Sequence, residues 1–365
     1  MSAEGLRDDL VALFRRGADA PLPPDAFGSL ALAVFAAQFE ADPAYRRYCA
    51  RRGASPDRIA DWRRIPPVPA RAFKDIAFAS GPTGARSAVF ATSGTTAGPA
   101  HRGEHHVPDL ALYDASALAA FRRFVLPDAP DCRMVSLIPP PAACPDSSLS
   151  YMAGLVMDAH GREGSGWYVD PESGLDEAGI DRALSEACAV GEAVLLLGTT
   201  LAFAAWVDGL RAAGRAFRLP DGSRLMDTGG SKGRRRELGP DELRRAARER
   251  LGIPEQRCVN EYGMTELCSQ YYDRCLLVGA REPGDLKGSA PWLACVAADP
   301  DTLEPLPDGS VGVLRHVDLA NLGSAVAVQT EDRGRLVDGA VELHGRWDGA
   351  EARGCSLALE LVLGG

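Results

Sequence analysis

The sequence predicts an α/β protein in three parts: a helical region over 1–65, an α/β core over 66–285, and a small β-rich lobe with a tail over 286–365. Three observations predict it. Strand-like and helix-like runs alternate from residue 86 onward, the mark of a largely parallel sheet flanked by helices. After residue 285 short strand-like runs follow one another between Gly and Asp turns. Before residue 65 the apolar residues recur at helical spacing, with Leu30, Val34, Phe35 and Phe39 on one face.

Each element has its own local warrant. Ile65-Pro66-Pro67-Val68-Pro69 cannot lie inside a helix and reads as a linker. Ala88–Ala91 is a short apolar run that ends in a loop of Gly, Ser and Thr. Pro108 opens a helix whose apolar face is Leu110, Tyr113, Ala117, Phe121 and Phe124. Met134–Ile138 and Ala193–Leu197 read as buried strands, and a helix follows Gly198-Thr199-Thr200. Asp241–Leu251 is an amphipathic helix with Leu243, Ala247 and Leu251 as its stripe, between Gly239-Pro240 and Gly252-Ile253-Pro254. A strand follows at Arg257–Asn260. The last lobe takes its strands from Val311–Val317, Ala325–Gln329 and Ala340–Leu343.

Composition bounds the function. The chain has 365 residues, 46% hydrophobic and 25% charged, the values of a globular protein with room for a large core. A net charge of −10 argues against nucleic-acid binding by general electrostatics. No apolar run reaches the roughly 18 residues of a membrane span. Met1–Leu13 carries Glu4, Asp8 and Asp9 and no apolar core, so no signal peptide is expected there. Nine scattered cysteines without a CxxC pair argue against a disulfide framework or a zinc knuckle. Free thiols in a reducing cytoplasm are the simplest expectation.

Four short motifs carry chemistry. Thr92-Ser93-Gly94-Thr95-Thr96 follows a strand; its glycine lets backbone N–H groups converge on an anion, and its hydroxyls add donors. No Lys follows as it would in a P-loop, and an ordinary turn explains the same residues. Asn260-Glu261-Tyr262-Gly263-Met264-Thr265-Glu266 offers a ring to stack on a base, a hydroxyl for a phosphate and a carboxylate for Mg²⁺. A strand end with a solvated Glu explains it equally. Thr330-Glu331-Asp332 places a carboxylate after a strand, where ribose hydroxyls or plain solvent suit it. Gly345-Arg346-Trp347-Asp348 and Arg353-Gly354-Cys355 close the series, with a basic residue beside a thiol.

In this order the four motifs resemble those of the adenylate-forming superfamily, which includes acyl-CoA synthetases, luciferases and adenylation domains. A narrower likeness lies in Asn260–Asp273, Pro145–Met152, Thr228-Gly229-Gly230-Ser231-Lys232 and Arg353–Leu357. These are similar to the acyl-protein synthetase (LuxE) family, over roughly residues 65–365. The loop has Ala97 and Ala100 where the superfamily has Gly and Lys, and Glu331 where it has Gly.

The resemblance implies the N-terminal domain of an adenylate-forming enzyme, with layered α/β subdomains and a small β-rich lobe, lacking the usual mobile C-terminal domain. It implies ATP and Mg²⁺, a fatty or aryl carboxylic acid as substrate, and a partner acyl reductase. Thr92, Ser93, Gly94, Thr95 and Thr96 would hold phosphates. Gly229, Gly230, Asn260, Tyr262 and Gly263 would surround the nucleotide, Tyr262 stacking on adenine. Thr265 would bond the α-phosphate, Glu266 help hold Mg²⁺, and Asp332 take the ribose. Lys232, Arg346 and Arg353 are the candidates to stabilise charge, and Cys355 would accept the acyl group. His101, His105 and His106 are either carboxylate-site groups or solvated loop residues. A stand-alone ligase with a structural Cys355, or a non-catalytic subunit of a reductase complex, fits the same motifs.

Overall fold

The computed structural model describes residues 2–23, 25–80, 84–92, 102–229 and 239–347. The chain divides into two compact units. The first holds residues 1–120, 264–270 and 284–365; the second holds 121–263 and 271–283.

The first unit begins with three helices, α1 (Ala3–Arg15), α2 (Ala26–Ala41) and α3 (Pro43–Arg51). Ser2 caps α1 by accepting from Gly5 N–H. Asp42 caps α3 through the amides of Ala44 and Tyr45, with Pro43 at the first helical position. Phe14, Val34, Phe35, Tyr45 and Tyr48 are buried. The short strand β1 (Val68–Pro69) pairs in parallel with β15 (Ala327–Val337) through Val68 and Val328.

The segment read as a linker is therefore built into the core. Tyr45 and Tyr48 hydroxyls donate to the Pro66 and Pro67 carbonyls at 2.9 and 2.7 Å. Arg315, on β14 (Gly312–Asp318), donates to the carbonyls of Arg63, Ile65 and Leu303. Prolines bar a helix and remove backbone donors, but their carbonyls still accept, and side chains supply the missing donors.

Strands β2 (Ala88–Ala91) and β3 (Glu104–Val107) form an antiparallel hairpin, with Phe90 opposite His105. The expected helix after Pro108 is α4 (Leu110–Phe124).

The second unit is a doubly covered sheet. Its strands are β4 (Arg133–Leu137), β5 (Gly166–Trp167), β8 (Val194–Thr199), β9 (Arg224–Thr228), β10 (Cys258–Tyr262) and β11 (Tyr271–Asp273). They run in the order β5-β4-β8-β9-β10-β11, all parallel except the β10–β11 pair. A small antiparallel pair, β6 (Val169–Asp170) and β7 (Gly174–Leu175), stands apart. The helices are α5 (Ser148–His160), α6 (Glu177–Val190), α7 (Thr200–Ala212), α8 (Pro240–Leu251) and the one-turn α9 (Cys275–Val278).

One cluster fills this unit's core. Leu196 and Leu225 come from the strands; Leu184, Phe203, Trp206, Leu210 and the predicted stripe Leu243, Ala247 and Leu251 come from the helices. Near-continuous apolar strands such as Val194–Leu197 are what a parallel sheet covered on both faces requires.

The remaining strands return to the first unit: β12 (Lys287–Ser289), β13 (Leu293–Ala298), β14, β15 and β16 (Ala340–Arg346). They pair antiparallel in the order β13-β14-β15-β16-β12. The sequence signals locate β14, β15 and β16 and pass over β12 and β13. Among the described residues no helix is long and apolar enough to cross a membrane.

Candidate active site

The hydroxyl loop leaves β2 and returns on β3. Its base is closed by Thr92, whose amide donates to the Gly103 carbonyl at 2.8 Å and whose Oγ1 accepts from Gly103 N–H at 2.8 Å. Arg102 adds two donors, to the carbonyls of Thr92 at 2.6 Å and Ala91 at 3.0 Å. The Thr92 hydroxyl oxygen is thus engaged in the loop's closure. Ser93, Gly94, Thr95 and Thr96, and His101 after them, lie outside the described residues.

The central motif begins at the carboxyl end of β10. Asn260 Nδ2 donates to Asp227 Oδ2 at 2.8 Å, and Asn260 N–H to Asp273 at 3.0 Å. Buried Glu261 accepts from the Thr228 hydroxyl. The Tyr262 ring lies 5.7 Å from that of Tyr271, tilted by 37°. Thr200, the first residue of α7, has its hydroxyl 2.8 Å from Asp227 Oδ2 and 2.7 Å from the Gly229 carbonyl. Gly229 has φ +81, a left-handed conformation that glycine adopts without strain. These groups gather at the carboxyl ends of parallel strands, where open α/β sheets bind ligands. Gly230 and Lys232 lie outside the described residues.

The unit boundary falls between Gly263 and Met264, so Thr265 and Glu266 belong to the first unit. There the chain is held by buried side chains. His105 Nδ1 lies 2.6 Å from the Thr265 carbonyl oxygen. Asn321 Nδ2 donates to the Glu266 carbonyl at 2.9 Å, and its Oδ1 accepts from Cys268 N–H at 2.9 Å. Asp318 accepts from the amides of Cys268 and Ser269 and from the Ser269 hydroxyl, at 2.7–3.0 Å. Gln38, on α2, donates to the carbonyls of Asn321 and Leu322 and accepts from Val326 N–H. Helix α2 thereby braces, through Asn321, the segment that carries Glu266, a residue 8% exposed.

Asp332 and Arg346 are cross-strand partners on β15 and β16. Arg346 Nε donates to Asp332 Oδ1 at 2.8 Å. Asp332 N–H is held by Thr330 Oγ1 at 3.1 Å, and Glu331 pairs with Arg71 at 2.5 Å. The first unit therefore carries Thr92, Thr265, Glu266, Asp332 and Arg346, and the second carries Gly229, Asn260, Tyr262 and Gly263. Asp348, Arg353 and Cys355 lie outside the described residues.

Burial sets the protonation of the supporting groups. It pushes the imidazoles of His105 and His316 down to about 4, partly offset by the Thr265 carbonyl and the Asp332 charge respectively. It pushes Asp318 up to about 6 against its four hydrogen bonds. It also raises the thiols of Cys49, Cys132, Cys258, Cys268, Cys275 and Cys295, which disfavours a thiolate at each.

Asp318, Asn321 and Gln38 are the supporting residues that motif reading overlooks, whereas His105, expected as a carboxylate-site group or a solvated loop residue, is instead fully buried on β3 against the Thr265 carbonyl.

The family described as acyl-protein synthetase, LuxE, matches residues 163–363, more than half of the chain. Several solved structures are similar. ATP-bound MatB from Rhodopseudomonas palustris has a TM-score of 0.50 at 18% identity, over 71% of this chain and 47% of that one. A long-chain-fatty-acid–CoA ligase from Archaeoglobus fulgidus has 0.51 at 13%, over 71% and 51%. An open conformation of 2-hydroxyisobutyryl-CoA ligase, in complex with 2-HIB-AMP and CoA, has 0.60 at 13%, over 91% and 81%. At these identities the likeness shows the fold, that of adenylate-forming enzymes, as the motifs predict. The chain spans about half the length of the first two structures. None of the curated proteins compared matches the chain.

Proposed function

The chain belongs to the acyl-protein synthetase (LuxE) family, and on that premise we propose that it activates a carboxylic acid with ATP and then loads itself at Cys355. In the first step a carboxylate oxygen attacks the α-phosphorus, the bond to the leaving pyrophosphate breaks, and an acyl-adenylate forms. In the second the Cys355 sulfur attacks the acyl carbon, AMP leaves, and the thiol proton passes to solvent. A partner reductase then takes the acyl group from the thioester.

The observation that carries this reading is the Tyr262–Glu266 segment. It leaves a parallel strand's carboxyl end, and buried donors grip the carbonyls of both Thr265 and Glu266. A hydroxyl and a carboxylate carried on a backbone gripped in this way suit preorganised charge stabilisation. Thr265 would donate to the α-phosphate and Asp332 accept from the ribose. Tyr262 would cover the base, beside Gly229, Gly230, Asn260 and Gly263. Thr92, Ser93, Gly94, Thr95 and Thr96 would cradle the outgoing phosphates. Lys232 and Arg346 would offset the charge gathered at phosphorus.

Glu266 offers one buried carboxylate, which fits a magnesium ion shared with nucleotide phosphates. Glu266 would hold that ion, and the ion would neutralise phosphate charge. Burial disfavours a thiolate at six of the other cysteines, which leaves Cys144, Cys188 and Cys355, and the family resemblance favours Cys355 as the nucleophile.

ATP–pyrophosphate exchange across fatty and aryl acids, followed by intact mass, tests the reading. Exchange with one acid class and a mass gain on Cys355 is the expected result. Cys355→Ser should keep exchange and lose the adduct. Exchange without any adduct would place the acceptor outside this chain, on CoA, a carrier protein or an amine. No exchange with any acid overturns the activation step.

A further inference from the structure

We propose that His105 is a positioning residue for Thr265 and Glu266, acting on the peptide plane between them. The proposal rests on the activation reading above for its catalytic consequence and on geometry for its tether. His105 is fully buried on β3, and its Nδ1 lies 2.6 Å from the Thr265 carbonyl oxygen. A carbonyl only accepts, so Nδ1 carries the proton and Nε2 the lone pair. Nε2 is buried and has no hydrogen-bond partner among the described residues, and the imidazole's single donor is committed to Thr265. The Phe73 ring stands edge-on at 5.8 Å and 87°, which fixes the plane of the imidazole. Burial keeps the ring neutral above about pH 4, so this donor persists without bringing a positive charge to the segment.

The geometry gives the tether a specific consequence. The Thr265 carbonyl belongs to the peptide plane before the Glu266 Cα, and the Glu266 carbonyl to the plane after it. His105 holds the first and Asn321 the second. Two fixed planes set the direction of the Cα–Cβ bond between them, and hence where the Glu266 carboxylate starts. The same His105 is paired across the hairpin with Phe90, two residues before Thr92. One imidazole therefore ties the strand that returns from the hydroxyl loop to the motif that carries the hydroxyl and carboxylate. Positioning errors of this kind reduce turnover more than ground-state binding.

Three variants separate the tether from bulk. In His105→Asn the amide nitrogen falls where Nδ1 stood and keeps the bond. In His105→Gln it falls where Nε2 stood and misses the carbonyl. His105→Leu has no donor. Two readouts are compared across the three: hydrogen–deuterium exchange of the peptide spanning 264–270 in the ligand-free protein, and kcat against KM in pyrophosphate exchange. The Gln and Leu variants should exchange amides about 10-fold faster and lose about 10-fold in kcat with little change in the KM for ATP. The Asn variant should restore both.

Wild-type protection and kcat in all three variants would overturn the proposal, as would an Asn variant as impaired as the Leu variant. If the Leu variant does not fold, the Asn–Gln contrast decides. If the wild-type protein shows no pyrophosphate exchange, the activation reading fails, and the amide-exchange contrast alone then decides the tether.

Discussion

Arg346 donates through Nε to the carboxylate of Asp332, 2.8 Å away and directly across the β15–β16 pair. Both side chains are site candidates, and the pair couples them. Asp332 is largely buried on its side of the pair, while Arg346 is half exposed. The guanidinium thus steers the carboxylate, and half of its surface stays open to solvent.

Arg346→Ala should therefore weaken ATP binding by releasing Asp332. Solvent screening of a half-exposed partner limits the effect to about 1 kcal/mol or less, roughly 2–5-fold in the KM for ATP. Asp332→Ala, which removes the acceptor itself, should weaken binding at least as much. Because the two act as one pair, the double variant should be less than additive. Nucleotide titration of the four proteins checks this, and full additivity would separate the two residues.

Acid stability follows from three buried groups in the first unit. His105 and His316 have folded-state values near 4, below the roughly 6.5 of a free imidazole. Their contribution is fully present above about pH 6.5 and is lost as pH falls through 4. Asp318 is shifted the other way, to about 6. Its contribution is present below about pH 4 and is lost as pH rises through 6. Between pH 6.5 and 4 two groups withdraw stability and one adds it, so the net change is a loss. His316→Asn should flatten the pH dependence of urea unfolding by about one proton, or about 1.4 kcal/mol per pH unit near pH 5. An unchanged slope would show that His316 titrates normally in the fold.

Legibility in the sequence followed the kind of signal each element carries. Helices α4 and α8 and strands β4 and β8 are set by periodic apolar residues and by Pro or Gly at their ends, so local reading found them. The Tyr262–Glu266 segment was legible as a motif because its residue types are contiguous. The prolines at 66, 67 and 69 show that 65–69 is non-helical, yet its burial depends on Tyr45, Tyr48 and Arg315, whose positions only the fold reveals. Asp318, Asn321 and Gln38 escaped for the same reason. A buried Asn or Gln breaks the apolar pattern, and its partners stand tens to hundreds of residues away. Strand β13, Leu293–Ala298, was passed over because its alanines and cysteine lack the β-branched bulk that marks a strand.

The start of α7 carries the last prediction. The Thr200 hydroxyl faces three oxygens: Asp227 Oδ2 at 2.8 Å, the Gly229 carbonyl at 2.7 Å and the Thr228 carbonyl at 3.3 Å. A hydroxyl has one proton, so these acceptors share it, and Asn260 supplies a second donor to the same Asp227 oxygen. Thr200→Val keeps the shape and removes the proton, leaving the oxygens of buried Asp227 and Thr228 to face a methyl group. That should destabilise the second unit by about 1–3 kcal/mol, whereas Thr200→Ser should stay within about 1 kcal/mol of wild type. The loss falls on Gly229, whose left-handed backbone leads into the Gly229-Gly230 stretch proposed to border the nucleotide. Thr200→Val should accordingly raise the KM for ATP several-fold at temperatures where the protein is still folded. Urea unfolding and exchange kinetics of the two variants decide it. Equal behaviour of Val and Ser would mean that the hydroxyl proton does not hold the strand end in place.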